Sequence, residues 1–136
     1  MNIKTKKSLG QNFLIDKNIL KQIVNTVDIS NKEILEIGPG SGNLTTYILK
    51  KNPKKFYVVE KDNDLSLLLK KKFNDDIEII NDDILKISEN KISKNKLTVF
   101  GNLPYNISTK ILTNWITDNI KFKSSKKLVF MFQKEV

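Results

Sequence analysis

The stretch Gly38-Pro39-Gly40-Ser41-Gly42 could alone be an ordinary tight turn, and gains meaning from the patterns on either side of it. It joins a strand pattern, Glu33-Ile34-Leu35-Glu36-Ile37, to a helical pattern carrying Leu44, Tyr47, Ile48 and Leu49. Glycines between a strand and a helix let backbone N–H groups and the helix N-terminus approach a ligand closely. A dinucleotide fingerprint would need its third Gly at position 43, which is Asn, so a nicotinamide or flavin cofactor is disfavoured. Glu60 closes the next strand pattern, Phe56-Tyr57-Val58-Val59-Glu60, roughly 20 residues after Gly38, where a carboxylate can accept hydrogen bonds from both ribose hydroxyls.

Around this unit, strand and helix patterns alternate with short connections. Asp16 can cap a helix bearing Ile19, Leu20, Ile23, Val24 and Val27. Asp62 or Asp64 caps another, with Leu65, Leu68, Leu69 and Phe73 on its stripe. Ile77-Glu78-Ile79-Ile80 reads as a third strand ending in Asn81-Asp82-Asp83, and residues 88–96 as mostly loop. A fourth strand, Leu97-Thr98-Val99-Phe100, runs into Gly101-Asn102-Leu103-Pro104-Tyr105. A helix with Ile107, Ile111, Leu112, Trp115 and Ile116 on one face follows, and Lys127 to Phe132 is a last strand. This alternation predicts an α/β fold of βαβ units on a mainly parallel sheet with helices on both faces. In such sheets ligands bind outside the carboxyl ends of the strands. Gly38, Gly40, Gly42, Glu60, Asp83 and Asn102 then converge from four strand ends on one edge. The pocket suits an adenosine-type ligand, with Asp83 placed to accept from the adenine amino group.

Composition narrows the chemistry. With 136 residues, 39% hydrophobic and 29% charged, the chain can build one domain with a real core. No apolar run approaches a bilayer span and no signal-peptide pattern opens the chain, which predicts a cytoplasmic protein with no membrane partner. The absence of Cys and His removes thiolate and imidazole metal sites and any His general base, so no metal is expected. The net charge of +9 favours a polyanionic partner, although every basic residue is Lys and a composition bias toward Lys, Asn and Ile could produce much of the excess. Residues 1–15, with Lys4, Lys6, Lys7 and then Gly10-Gln11-Asn12-Phe13-Leu14, read equally well as a solvated tail or as a basic arm leading into a clamp over a ligand.

The motifs Gly10-Gln11-Asn12-Phe13-Leu14, Glu36-Ile-Gly38-Pro39-Gly40-x-Gly42, Val59-Glu60-Lys-Asp62, Phe100-Gly-Asn102-Leu103-Pro104-Tyr105-Asn-Ile-Ser-Thr and Phe130-Met-Phe-Gln133-Lys-Glu-Val136 occur in this order. The set closely resembles the ribosomal RNA adenine N6,N6-dimethyltransferases of the small-subunit type. The related macrolide-resistance methyltransferases share the fold and the central element. The resemblance implies a Rossmann-like class I methyltransferase fold, S-adenosylmethionine as cofactor, and small-subunit ribosomal RNA as substrate in ribosome biogenesis. It carries cofactor contacts to Asn12, Leu14, Gly38, Glu60, Asp83 and Asn102. Family members are about twice this long. Residues 1–136 are therefore expected to be an incomplete methyltransferase domain, lacking further strands and a helical domain, and the complete protein to be a monomer. With strand five left at an edge, the chain alone is expected to self-associate and to be nearly inactive on ribosomes.

Within that resemblance the catalytic set is Asn102, Leu103, Pro104, Tyr105 and Phe130. The Asn102 amide oxygen and the Leu103 carbonyl can accept the two N6–H groups of adenine and turn its lone pair toward the methyl donor. Pro104 stiffens that carbonyl by fixing φ. Tyr105 offers a stacking face for the extruded base, and Phe130 is the family's match for the other face, although strand alternation alone would place it in the core. Two rival readings are a non-catalytic RNA-binding assembly factor that keeps the fold, and a nucleotide-dependent oxidoreductase, which lacks the required spacing and acid–base groups.

Overall fold

Five strands, β1 (Glu33–Ile37), β2 (Lys55–Val59), β3 (Glu78–Ile80), β4 (Leu97–Leu103) and β5 (Ser125–Phe132), lie parallel in the order β3-β2-β1-β4-β5. The computed structural model describes residues 16–87, 89–103, 106–107, 109–111, 113 and 125–132, and the backbone alone at 89–90, 102 and 125–132. The expectations for residues 1–15, for Pro104 and Tyr105, for most of the stretch holding Trp115 and Ile116, and for residues 133–136 lie outside the described residues.

Helices α1 (Lys17–Val24), α2 (Asn43–Leu49) and α3 (Asn63–Phe73) cover one face. Leu20, Ile23 and Val24, with Leu44, Ile48, Leu69 and Phe73, pack there against Ile34, Phe56, Val58 and Phe100. The alternate residues Leu35, Ile37, Tyr57, Val59, Leu97 and Val99 face the other way. They are covered by Ile84 of a short 3-10 turn, Ile92 of α4 (Glu89–Ile92), and Ile111 in the helical backbone after β4. All five residues of β1 are buried, the apolar Ile34, Leu35 and Ile37 along with the two carboxylates Glu33 and Glu36. The helix starts follow the local chemistry. The Asp16 side chain accepts from Asn18 N at 2.8 Å. Asp62, not Asp64, caps α3 by accepting from Leu65 N at 2.9 Å.

Several boundaries differ from those read in the sequence. β4 continues to Leu103, because Gly101 pairs with Ile37 on one side and Phe130 on the other, while Asn102 pairs with Met131. Cross-strand pairing overrides the weak strand propensity of Gly and Asn here. Asn102 is thus the penultimate residue of a strand rather than a residue beyond it. β2 ends at Val59, which leaves Glu60 just past the strand. The stretch expected as loop contains α4, whose Ile92 is buried. Among the described residues no helix is long and apolar enough to cross a membrane.

Candidate active site

The strand order reverses between β1 and β4, so the chains leaving these two strands diverge and open a crevice at their carboxyl ends. The glycine loop fills the β1 side. Gly38, Gly40 and Gly42 have φ of 66°, 61° and 91°, all in the region that favours glycine. Their N–H groups are not left for a ligand. Gly38 N donates to Val59 O at 2.9 Å, Gly40 N to Glu60 Oε1 at 3.3 Å, and Gly42 N to Pro39 O at 3.0 Å. What these glycines contribute is room. A Cβ on Gly38 would lie 2.5 Å from Leu103 Cδ2, so this residue lets the end of β4 close onto the end of β1.

Gly42 has a packing reason as well. It begins α2, and a Cβ there would meet Phe73 Cε2 at 2.7 Å and Leu69 Cδ2 at 3.1 Å. Gly42→Ala combines a strained backbone with overpacking against α3, and is expected to cost about 2–3 kcal/mol of stability in urea unfolding. An unchanged midpoint would mean that α3 yields freely.

Glu60 is 6% exposed and clamps the loop to β2: Oε1 accepts from Gly40 N, and Oε2 accepts from Asp62 N at 2.9 Å. Burial pushes its carboxyl above the usual range, and the bonds from Asp62 and Gly40 pull it back. The Lys61 backbone N–H bonds to this carboxylate as well, and with about four lone-pair sites it keeps some acceptor capacity for a hydroxyl. The Glu60 backbone is itself pinned, since Ser66 Oγ and Asn81 Nδ2 both donate to its carbonyl, at 3.3 and 2.9 Å. Asn81 thereby ties the end of β3 to the end of β2, and nothing in the local pattern announced that role. Asp83 follows β3. Its Oδ1 accepts from Leu85 N at 3.0 Å, capping the 3-10 turn Ile84–Lys86, and its Oδ2 lies 3.8 Å from Lys61 Nζ.

Glu36 is the residue to which the sequence reading gave no role. It is 2% exposed, and its Oε1 accepts a 2.5 Å bond from Thr45 Oγ1 in α2. Burial pushes its carboxyl up to about 8; the Thr45 bond opposes this and the charge of Glu60 adds to it. The glycine loop is therefore held at its start by Glu36–Thr45 and at its middle by Glu60. A carboxylate inside the apolar run Ile34-Leu35-Glu36-Ile37 was the available signal, because a buried carboxylate in a strand covered on both faces needs a polar partner.

Of the twelve candidate residues, Gly38, Gly40, Gly42, Glu60, Asp83, Asn102 and Leu103 are brought to this one edge. Register alone places Phe130, opposite Gly101 and one residue from the Asn102–Met131 pair. Asn12, Leu14, Pro104 and Tyr105 are outside the described residues. Among those described, no group of carboxylates is arranged to hold a metal ion.

A parallel sheet ordered 3-2-1-4-5, with a glycine loop after the first strand and a carboxylate after the second, is the class I Rossmann-like methyltransferase fold. The chain belongs to the ribosomal RNA adenine dimethylase family, whose model matches residues 2–136. It is 68% identical over 139 residues to ribosomal RNA small subunit methyltransferase A of Pelagibacter ubique (strain HTCC1062), covering 100% of this chain and 52% of that protein. A dimethyladenosine transferase from Plasmodium falciparum superposes with a TM-score of 0.71 at 28% identity, over 88% of this chain and 42% of that one. The 23S rRNA methyltransferase ErmE shares the fold, with a TM-score of 0.72 at 23% identity over 87% and 46% of the two chains. The chain spans about half the length of the curated relatives it matches.

Proposed function

We propose that residues 1–136 act as the methyltransferase domain of a cytoplasmic enzyme that transfers methyl groups from S-adenosylmethionine to the N6 amine of adenines in small-subunit ribosomal RNA, forming dimethyladenosine during ribosome biogenesis. The observation that carries this reading is the meeting of the Gly38 loop, Glu60, Asp83 and the Asn102-Leu103 end of β4 at one switch-point edge. The edge fits an adenosine-bearing cofactor. Glu60 is buried yet keeps acceptor capacity for a ribose, and Asp83 keeps capacity for an amino group.

The cofactor, when bound, supplies a methyl group already activated on a sulfonium, so neither a metal nor a strong base is required. The work left to the chain is positional. Gly38 gives Leu103 its close approach to the loop, which brings the base-binding end of β4 against the cofactor edge. Asn102 through its amide and Leu103 through its carbonyl would accept the N6–H groups and aim the nitrogen lone pair. Tyr105 and Phe130 would stack on the extruded adenine. Holding the reactants in this way can lower the barrier by about 7 kcal/mol or more, and base–aromatic stacking offsets part of the unstacking cost at roughly 1–3 kcal/mol per base.

Glu60→Ala is expected to weaken S-adenosylmethionine binding by about 1–3 kcal/mol, since it removes a charged acceptor. Calorimetry giving equal affinity for the variant would take Glu60 out of the site. The reaction itself is tested by incubating immature small subunits with labelled S-adenosylmethionine and digesting the RNA to nucleosides. This chain is run beside a version extended to the length of its relatives. Label in N6-methylated adenosine with the longer form is expected. Label in another nucleoside, or none despite cofactor binding, would replace the enzyme by an assembly factor that keeps the fold.

A further inference from the structure

The described charges differ between the two ends of the strands. The site edge carries both signs among the described residues: Asp62, Asp64, Asp82 and Asp83 follow β2 and β3 with Glu60, and Lys61, Lys72, Lys86 and Lys110 lie on the same connections. Lys61 is engaged by Asp83, and Lys72 Nζ donates to the Ser41 carbonyl at 3.3 Å. At the opposite, amino edge the exposed charges next to β1, β2 and β4 are all positive. Lys32 precedes β1, Lys54 and Lys55 open β2, and Lys94 and Lys96 precede β4, and all five are exposed. None of them is ion-paired among the described residues. Lys126 and Lys127 continue the row in sequence, since Leu97 pairs with Ser125 and Thr98 with Lys127. In residues 30–33, 50–55, 93–97 and 125–127 the sole carboxylate is Glu33, which is buried; Asp28 lies farther back in the loop, and Asp75, Asp76 and Glu78 sit on the β3 flank.

This edge is a built surface. Asn31 N donates to Asn52 O at 3.0 Å and Lys54 N to Lys32 O at 2.8 Å, so the two lysine-bearing turns are joined by backbone bonds. Asn31 and Asn52 take positive φ, 59° and 56°, to make those turns. Ser93 Oγ and Asn95 Nδ2 donate to the two Glu33 oxygens at 2.8 and 2.6 Å, which fixes the Lys94–Lys96 segment to β1. With about 4.8 Å between neighbouring strands, the row from β2 to β5 covers roughly 14 Å, a length over which a nucleic-acid duplex presents several phosphates.

We infer that the amino edge of the sheet is a second RNA-contacting surface, which holds the phosphate backbone away from the target adenine while the carboxyl edge handles cofactor and base. The inference rests on the reading of the substrate as ribosomal RNA. An edge made of Lys, with no Arg fork, recognises charge and spacing but not base sequence. It adds attraction for phosphate at a distance from the site edge.

The test uses this chain, a short RNA duplex of arbitrary sequence and fluorescence anisotropy at several salt concentrations. The variant Lys54→Gln/Lys55→Gln/Lys96→Gln is expected to lose affinity about tenfold and to show a salt slope shallower by about 0.7–0.9 per phosphate contact removed. The matched control Lys17→Gln/Lys70→Gln/Lys91→Gln is expected to change little. Lys54→Arg/Lys55→Arg/Lys96→Arg, which keeps the charge, is expected to retain binding. Equal losses in the edge and control variants, an unchanged affinity in the edge variant, or no duplex binding by the unsubstituted chain would each overturn the inference. S-adenosylmethionine affinity, measured in parallel, is expected to be the same for all of them. Its absence would strike the cofactor reading and leave the RNA surface to be judged on the anisotropy alone.

Discussion

Asn102→Ala is expected to lower methyl transfer about 10²–10³-fold, equivalent to about 3–4 kcal/mol of transition-state stabilisation, while leaving the fold intact. The fold should survive because Asn102 takes part in the sheet through its backbone, opposite Met131, and that pairing does not require the amide side chain. Activity should not survive. The N6 lone pair of adenine is delocalised into the ring, and an oriented acceptor is needed to localise it toward the methyl donor. In the proposed mechanism, removing one of two acceptors leaves the base free to turn. The measurement is single-turnover methyl transfer in the form of the protein that is active, with thermal unfolding as the control. Turnover within tenfold of the unsubstituted protein would show that this amide does not orient the base. Part of the loss can fall on cofactor affinity, since the resemblance places the same residue among the cofactor contacts.

Glu36→Gln is expected to flatten the dependence of stability on pH. Burial raises the Glu36 carboxyl from 4.5 to about 8. A carboxyl raised in the folded state binds its proton more tightly there than in the unfolded chain. Its contribution is therefore fully present below pH 4.5 and is lost as pH rises toward 8. The loss over that window is on the order of 4 kcal/mol, at about 1.4 kcal/mol per pH unit. Glu60 shifts in the same direction, so a smaller slope of the same sign should persist in the variant. Gln keeps the shape and an oxygen for the Thr45 hydroxyl but carries no charge. Urea unfolding between pH 5 and pH 8 reads the difference. Parallel curves for both proteins would mean that Glu36 titrates as it does in water, and that the loop is not anchored on a protonated carboxyl.

The parts of this molecule that were legible in the sequence are those where local chemistry and tertiary structure agree. Glu33–Ile37 was read with its observed bounds, because a short apolar run stopped by a glycine turn has few alternatives. Asp16 and Asp62 cap the helices they precede. The end of β4 was not legible. Gly101 and Asn102 are poor strand formers, and only their pairing to β1 and β5 holds them extended. Helix α4 is four residues long, too short to show a period. The site was legible as a set of strand ends but not as a set of bonds. No spacing rule says that Gly40 spends its N–H on Glu60, or that Asn81 reaches back to the Glu60 carbonyl. Those bonds turn the glycine loop from a row of open donors into a clamped turn whose use lies in its lack of side chains.

The claim that four strand ends form one cofactor site is tested most directly by amide hydrogen exchange on the chain with and without S-adenosylmethionine. Slower exchange is expected at Gly38–Gly42, at residues 60–64, at residues 81–84 and at the Gly101–Leu103 end of β4. No change is predicted at Lys32, Lys54, Lys55 or Lys96 on the far edge. Protection confined to one strand end, protection on the amino edge, or no protection at saturating cofactor would contradict it.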